Sequence, residues 1–79
     1  MADELQTVYD DAVYAYTTGD YTGAAAGFAA VLAADPQHFE AQLSLGMAYY
    51  RQEDFARAIE EGKKAEAMNP NEQLSLIHI

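Results

Sequence analysis

The chain has 79 residues, half of them hydrophobic, and no cysteine. It is at most one small domain, too apolar to be disordered by composition and held by neither disulfides nor thiolate metal sites. Thirteen acidic residues against four basic ones leave a net charge of −9, which opposes nucleic acid and anionic membrane as partners.

The acidic residues are scattered, as in Asp10-Asp11, Glu53-Asp54 and Glu60-Glu61. That distribution suits solubility, with attraction of a basic segment as the other reading. The start, Met1-Ala2-Asp3-Glu4, is acidic and runs into an amphipathic pattern, unlike a secretory signal. No run approaches the roughly 18 apolar residues of a membrane span. The expected setting is cytoplasmic.

From Asp3 to Thr17, apolar residues fall at Leu5, Val8, Tyr9, Ala12, Val13, Ala15 and Tyr16, a helical stripe. Thr18-Gly19-Asp20 breaks it: the glycine suits a left-handed C-terminal position, and Asp20 can cap the next helix. A second helix is expected over Tyr21 to Ala34, rich in alanine and carrying Gly23 and Gly27. Each interior glycine costs about 1 kcal/mol, so two of them suggest a face that another helix approaches closely. Asp35-Pro36 ends this hairpin, and the proline is placed to open a third helix over Gln37 to Arg51. That helix carries Phe39, Leu43, Leu45, Gly46, Met47, Ala48, Tyr49 and Tyr50, apolar nearly all round, so burial on more than one side follows. Gln52-Glu53-Asp54 makes the next turn, and a fourth helix runs from Phe55 to Met68. Its expected inner face is Phe55, Ala58, Ile59, Gly62, Ala65 and Met68; its outer, solvated face is Glu60, Glu61, Lys63, Lys64 and Glu66.

The four helices repeat with a 34-residue period. Gly19-Asp20-Tyr21 is echoed by Glu53-Asp54-Phe55, Ala24 by Ala58, Tyr16 by Tyr50, Ala33 by Ala67, and Asp35-Pro36 by Asn69-Pro70. A fixed period of about 20–50 residues marks a stacked repeat. The second unit carries Leu45-Gly46-x-x-Tyr49, then Ala58, then Pro70; the first supplies Ala24-x-x-x-Phe28 and Pro36, with Ala12 at the small position.

These residues resemble the tetratricopeptide repeat family over about 1–71, with repeat one at about 5–36 and repeat two at about 37–70. The resemblance implies an all-α fold, a right-handed superhelical stack of antiparallel helix pairs in the manner of an α-solenoid. Small residues at Ala12, Ala24, Gly46 and Ala58 would let helices cross closely, while Tyr21, Phe28, Tyr49 and Phe55 fill the space between. There are departures. Val8 and Gln42 stand where the motif has tryptophan, Asp11 replaces its leucine, Ala15 its tyrosine, and Gly62 the large aromatic of the second unit.

In this family the first helix of each pair lines a concave groove that receives a peptide or helix. Carried over by register, the partner-binding residues are Gln6, Tyr9, Val13 and Tyr16, then Glu40, Leu43, Ser44, Met47, Tyr50 and Arg51. Some members clamp a C-terminal carboxylate there with lysines and asparagines. Tyr9, Val13 and Ser44 occupy the matching places, so that clamp is not supported. An apolar, tyrosine-rich groove suits an amphipathic or extended hydrophobic segment of a protein partner. Packing against a neighbouring repeat is the plainer role open to the same side chains, Val13 and Leu43 above all.

Catalytic chemistry is not legible. His38 and His78 stand forty positions apart without a Cys or His cluster, and His38 lies where a helix cap or a solvated role is expected. Adjacent carboxylates such as Asp10-Asp11 point to different sides of a helix, so neither pair makes a metal site. Ser44 and Ser75 have no base in the pattern, and Gly19, Gly23 and Gly27 lack the lysine and hydroxyl residue of a phosphate loop. No enzyme, cofactor or metal is expected. The expectation is a non-catalytic interaction module; its rival is a structural scaffold or self-associating segment of a longer repeat protein.

Residues 72–79 are expected to begin a third repeat or a capping helix. The string Leu74-Ser75-Leu76-Ile77-His78-Ile79 also reads as the translation of a transposon end used as a sequencing-library adaptor, which would make the chain a truncated fragment. The alternative is a short helix whose Leu74, Leu76 and Ile77 cover the last pair. Two units without a polar cap are expected to be marginally stable or to self-associate through the exposed C-terminal face.

Overall fold

The computed structural model describes residues 2–68, with side chains from residue 4. Four helices follow one another: α1 (Ala2–Thr17), α2 (Tyr21–Ala34), α3 (Phe39–Arg51) and α4 (Phe55–Met68). Each packs on the next in order, α1 on α2, α2 on α3 and α3 on α4. This is the all-α stack of helix pairs that the 34-residue period implied. The Asn69-Pro70 break and the tail readings lie outside the described residues.

Local chemistry sets the boundaries. Gly19 adopts φ +92°, and the Asp20 amide donates back to the Ala15 carbonyl at 2.8 Å, closing α1. Asp20 then caps α2, its Oδ1 accepting from the Gly23 amide at 3.0 Å. The α2–α3 turn differs from expectation, because Pro36 does not open α3. The Asp35 carboxylate accepts from the Gln37 amide at 3.2 Å and its carbonyl from the His38 amide at 3.1 Å, so the turn extends through His38. His38 is the N-cap of α3, with Nδ1 accepting from the Ala41 amide at 3.1 Å. Of the two roles open to this histidine, it takes the cap.

The core lies between the pairs. Ala12 of α1, Ala24, Ala25, Phe28 and Val31 of α2, and Ala41, Leu45 and Ala48 of α3 form one buried cluster, with Leu5, Val8, Tyr9 and Tyr49 packed against it. Phe28 and Val31 are its largest fully buried side chains. Gly27 meets α1 closely: a Cβ built there would lie 2.6 Å from the Cβ of Ala12. Gly23 serves otherwise, since a Cβ there would strike the capping carboxylate of Asp20 and no neighbouring helix.

Two expectations for α4 are corrected. Phe55 and Ile59, expected inward, are 51% and 59% exposed, and among the α4 residues only Ala65 is fully buried. The first-unit counterpart of Ile59, Ala25, is instead 6% exposed and belongs to the cluster shared with α3. Glu61, expected on the solvated face, is instead drawn toward α3. Buried Gln42 donates through Nε2 to the Glu61 carboxylate at 2.6 Å and to its carbonyl at 3.2 Å. Where the repeat motif has a tryptophan, this chain ties α3 to α4 by an amide and a carboxylate.

Candidate functional site

Side chains of α1 and α3 line two adjoining hollows. The smaller, about 210 Å³, is bounded by Tyr9, Val13 and Tyr16 of α1, Phe28 of α2, and Ser44 and Met47 of α3. The larger, about 530 Å³, is bounded by Tyr16, by Leu43, Gly46, Met47, Tyr50 and Arg51 of α3, and by Phe55, Ala58, Ile59 and Gly62 of α4. Tyr16 and Met47 belong to both, so the two hollows form one surface.

Eight of the ten residues assigned to the groove by register line it: Tyr9, Val13, Tyr16, Leu43, Ser44, Met47, Tyr50 and Arg51. Gln6 and Glu40 are exposed and line neither hollow; Gln6 donates to Asp10 on its own helix at 2.9 Å. Phe55, Ala58, Ile59 and Gly62 were not assigned to the groove. The signal for them was present, because they follow Tyr21, Ala24, Ala25 and Phe28 by one period. They were read as the inner face of α4 from its apolar spacing.

Aromatic pairs hold the surface in shape. Tyr9 packs edge-on to Phe28 with ring centroids 5.7 Å apart, and against His38 at 5.1 Å. The period repeats a second pair: Tyr16 meets Tyr21 at 5.2 Å, and Tyr50 meets Phe55 at 5.5 Å, both edge to face. Arg51 bridges the units, donating through Nε to the Tyr16 hydroxyl at 3.1 Å with its guanidinium over that ring. This hydrogen bond, with the nearby Tyr16 and Tyr21 hydroxyls, pushes the already high Arg51 pKa further up, so the charge is fixed. Gln52 adds a second bridge, donating to the Thr22 hydroxyl at 3.0 Å.

Chemically, this surface offers aromatic faces, a flexible thioether, and one guanidinium at its edge. Among the described residues, no group of three or more His, Cys, Asp or Glu could hold a metal ion. No described helix is long and apolar enough to cross a membrane.

Comparison with curated proteins finds no match. The tetratricopeptide repeat family profile, in contrast, matches residues 9–72. That span takes in the second half of α1, all of α2, α3 and α4, and every residue that lines the two hollows. Repeats of this kind are generally protein-interaction modules. By its period, its stacked pairs and this match over most of its length, the chain belongs to the tetratricopeptide repeat family.

Proposed function

We propose that the chain is a non-catalytic, cytoplasmic interaction module whose concave face binds an apolar peptide or amphipathic helix of a protein partner. The observation that carries this reading is the pair of adjoining hollows joined at Tyr16 and Met47. A helix laid in a groove presents apolar anchors at i, i+3, i+4 and i+7, and a continuous apolar surface with aromatic walls accepts such a row. Tyr50 and Met47 are 61% and 47% exposed, large side chains that the fold itself leaves uncovered. Large rigid aromatics of this kind dominate binding energy at protein interfaces. The charge of −9 disfavours nucleic acid and anionic lipid as the occupant. Arg51 is the one cation at the rim of either hollow, and it suits an acidic residue flanking the apolar anchors.

The test is selection of displayed peptides of about 16 residues on the full chain, followed by affinity measurement on the winners. Met47→Asp, and Tyr9, Tyr16 and Tyr50 changed together to alanine, are expected to weaken them at least tenfold. Circular dichroism shows whether helix content is kept. Undiminished binding by folded variants would place the site elsewhere.

A further inference from the structure

The two arginines of the chain are held in different ways. Arg57 of α4 pairs with Asp54, Nε to Oδ2 at 3.5 Å. Arg51, in a chain with 13 acidic side chains, has no carboxylate within ion-pair distance among the described residues. Its Nε donates to the Tyr16 hydroxyl at 3.1 Å, and its guanidinium lies over the Tyr16 ring, 6.0 Å from the centroid. Tyr21 and Tyr50 also stand near enough to act on its charge. Phenols hold this cation in place without neutralising it.

A guanidinium carries five N–H donors in a planar fork. Tyr16 takes the one on Nε and leaves those on the two terminal nitrogens, an edge that matches a carboxylate end-on. The Tyr16 hydroxyl accepts from Nε and keeps its own O–H to donate. One helix pair supplies the charge, and the other supplies the phenol that orients it.

The surroundings select the anion. Neither hollow is lined by Asp or Glu, so a carboxylate at Arg51 meets no like charge in the lining. The net charge of −9 repels a segment rich in acidic residues. The complement is therefore a single carboxylate on a segment otherwise apolar, neutral or basic. Arg51 borders the larger hollow and not the smaller, where Tyr9, Val13 and Ser44 offer no charge. A segment laid the other way round would hold its carboxylate over that uncharged end, without a partner.

Resting on the groove reading above, we propose that the partner segment carries one Asp or Glu side chain beside its apolar anchors. Arg51, positioned by Tyr16, receives that carboxylate and sets the direction in which the segment lies.

The experiment uses the full chain and randomised displayed peptides, with the winners remade as C-terminal amides. An acidic residue is expected at a fixed offset from the apolar anchors. Each winner is then compared with versions carrying the uncharged amide or lysine in place of that acid. The uncharged version is expected to bind about fivefold more weakly, the scale of one exposed charge pair of good geometry. Arg51→Gln is expected to erase that difference, Arg51→Lys to keep part of it, and Arg51→Glu to reverse it in favour of the lysine version. Tyr16→Phe is expected to narrow it. Each variant is read as a ratio of two peptides on the same protein, so a change in folding cancels. A nitroxide on the peptide end nearer the acid is expected to broaden the NMR signals of Ile59 more than those of Val13. Winners without a fixed acid, a ratio that survives Arg51→Gln, equal broadening at both ends, or binding lost on amidation would each overturn the proposal. If Met47→Asp still weakens those winners, the groove reading stands without it. Winners indifferent to Met47→Asp, no winners at all, or a groove already closed by a second copy, seen as a dimer in sedimentation, would remove both.

Discussion

The two units share a period and a fold but not an environment. In the first, Ala24, Phe28 and Val31 of α2 are sealed between α1 and α3. In the second, the matching Ala58, Gly62 and Ala65 have α3 as their one neighbouring helix among the described residues, and Phe55 and Ile59 stand half or more exposed. Burial in a stacked repeat is thus set less by a residue's own position in its helix than by the unit that follows. Ala25 is core in the first unit and its counterpart Ile59 is surface in the second, while Val31 and Ala65 are buried in both. Stability in such arrays is a sum of unit and interface terms, and the α2–α3 packing is the interface between the two units here.

The sharpest way to break this comparison is to truncate one aromatic residue in each unit. Phe28→Ala removes the largest buried side chain and is expected to cost about 3–5 kcal/mol. A domain of this length has about 4–12 kcal/mol in all, so much of its stability would go. Phe55→Ala, on the exposed counterpart of the same surface, is expected to cost about 1 kcal/mol or less. Denaturant titrations at low concentration measure both. Similar losses at the two sites would mean that the α3–α4 face is covered in solution and that the units are equivalent after all.

A smaller effect, opposite in sign at its two sites, comes from the glycines. Alanine at Gly27 would press a methyl group into Ala12, and overpacking of that kind typically costs about 1–3 kcal/mol. Alanine at Gly62 meets open space and gains helix propensity, a stabilisation of about 1 kcal/mol. Thermal melts of the two single variants should shift in opposite directions. Two shifts of one sign would show that helix propensity outweighs the close approach of α1 to α2.

How much of this was legible in the sequence follows from the range of the interactions involved. The bounds of α2 and α4 were readable because they depend on neighbours in the chain, Gly19-Asp20 and Asp35 in one case, Glu53-Asp54 in the other. The start of α3 was misplaced by two residues because Asp35 and His38 use their side chains to lengthen the turn, a choice that Pro36 alone does not reveal. The inward pull on Glu61 needed a partner 19 residues away, the unusual buried Gln42. Eight groove residues were readable because the period fixes which turns of α1 and α3 lie alongside. The α4 lining of the larger hollow was missed because apolar spacing along α4 marks its inner face without showing whether a neighbouring helix covers it.

The subtlest difference between the units lies in their turns. Gly19 holds φ +92° where α1 ends; one period later Glu53 holds φ 64°, the only described non-glycine residue with positive φ. The hydrogen bonding is the same in both: the Gly19 and Glu53 amides donate to the carbonyls of Tyr16 and Tyr50, and those of Asp20 and Asp54 to Ala15 and Tyr49. A left-handed residue with a Cβ carries roughly 1–2 kcal/mol of strain that glycine avoids. Glycine gives back part of that gain through the greater freedom of the unfolded chain, roughly 0.4–1 kcal/mol. Glu53→Gly is therefore expected to stabilise the chain by about 0.5–1 kcal/mol, and its mirror, Gly19→Glu, to destabilise it by a similar amount. Carried together, the two exchanges should nearly cancel, since the bridges between the turns, Arg51 to Tyr16 and Gln52 to Thr22, involve neither exchanged residue. A double variant that departs from the sum of the singles by more than about 0.5 kcal/mol would show the two hairpin turns to be coupled through the stack.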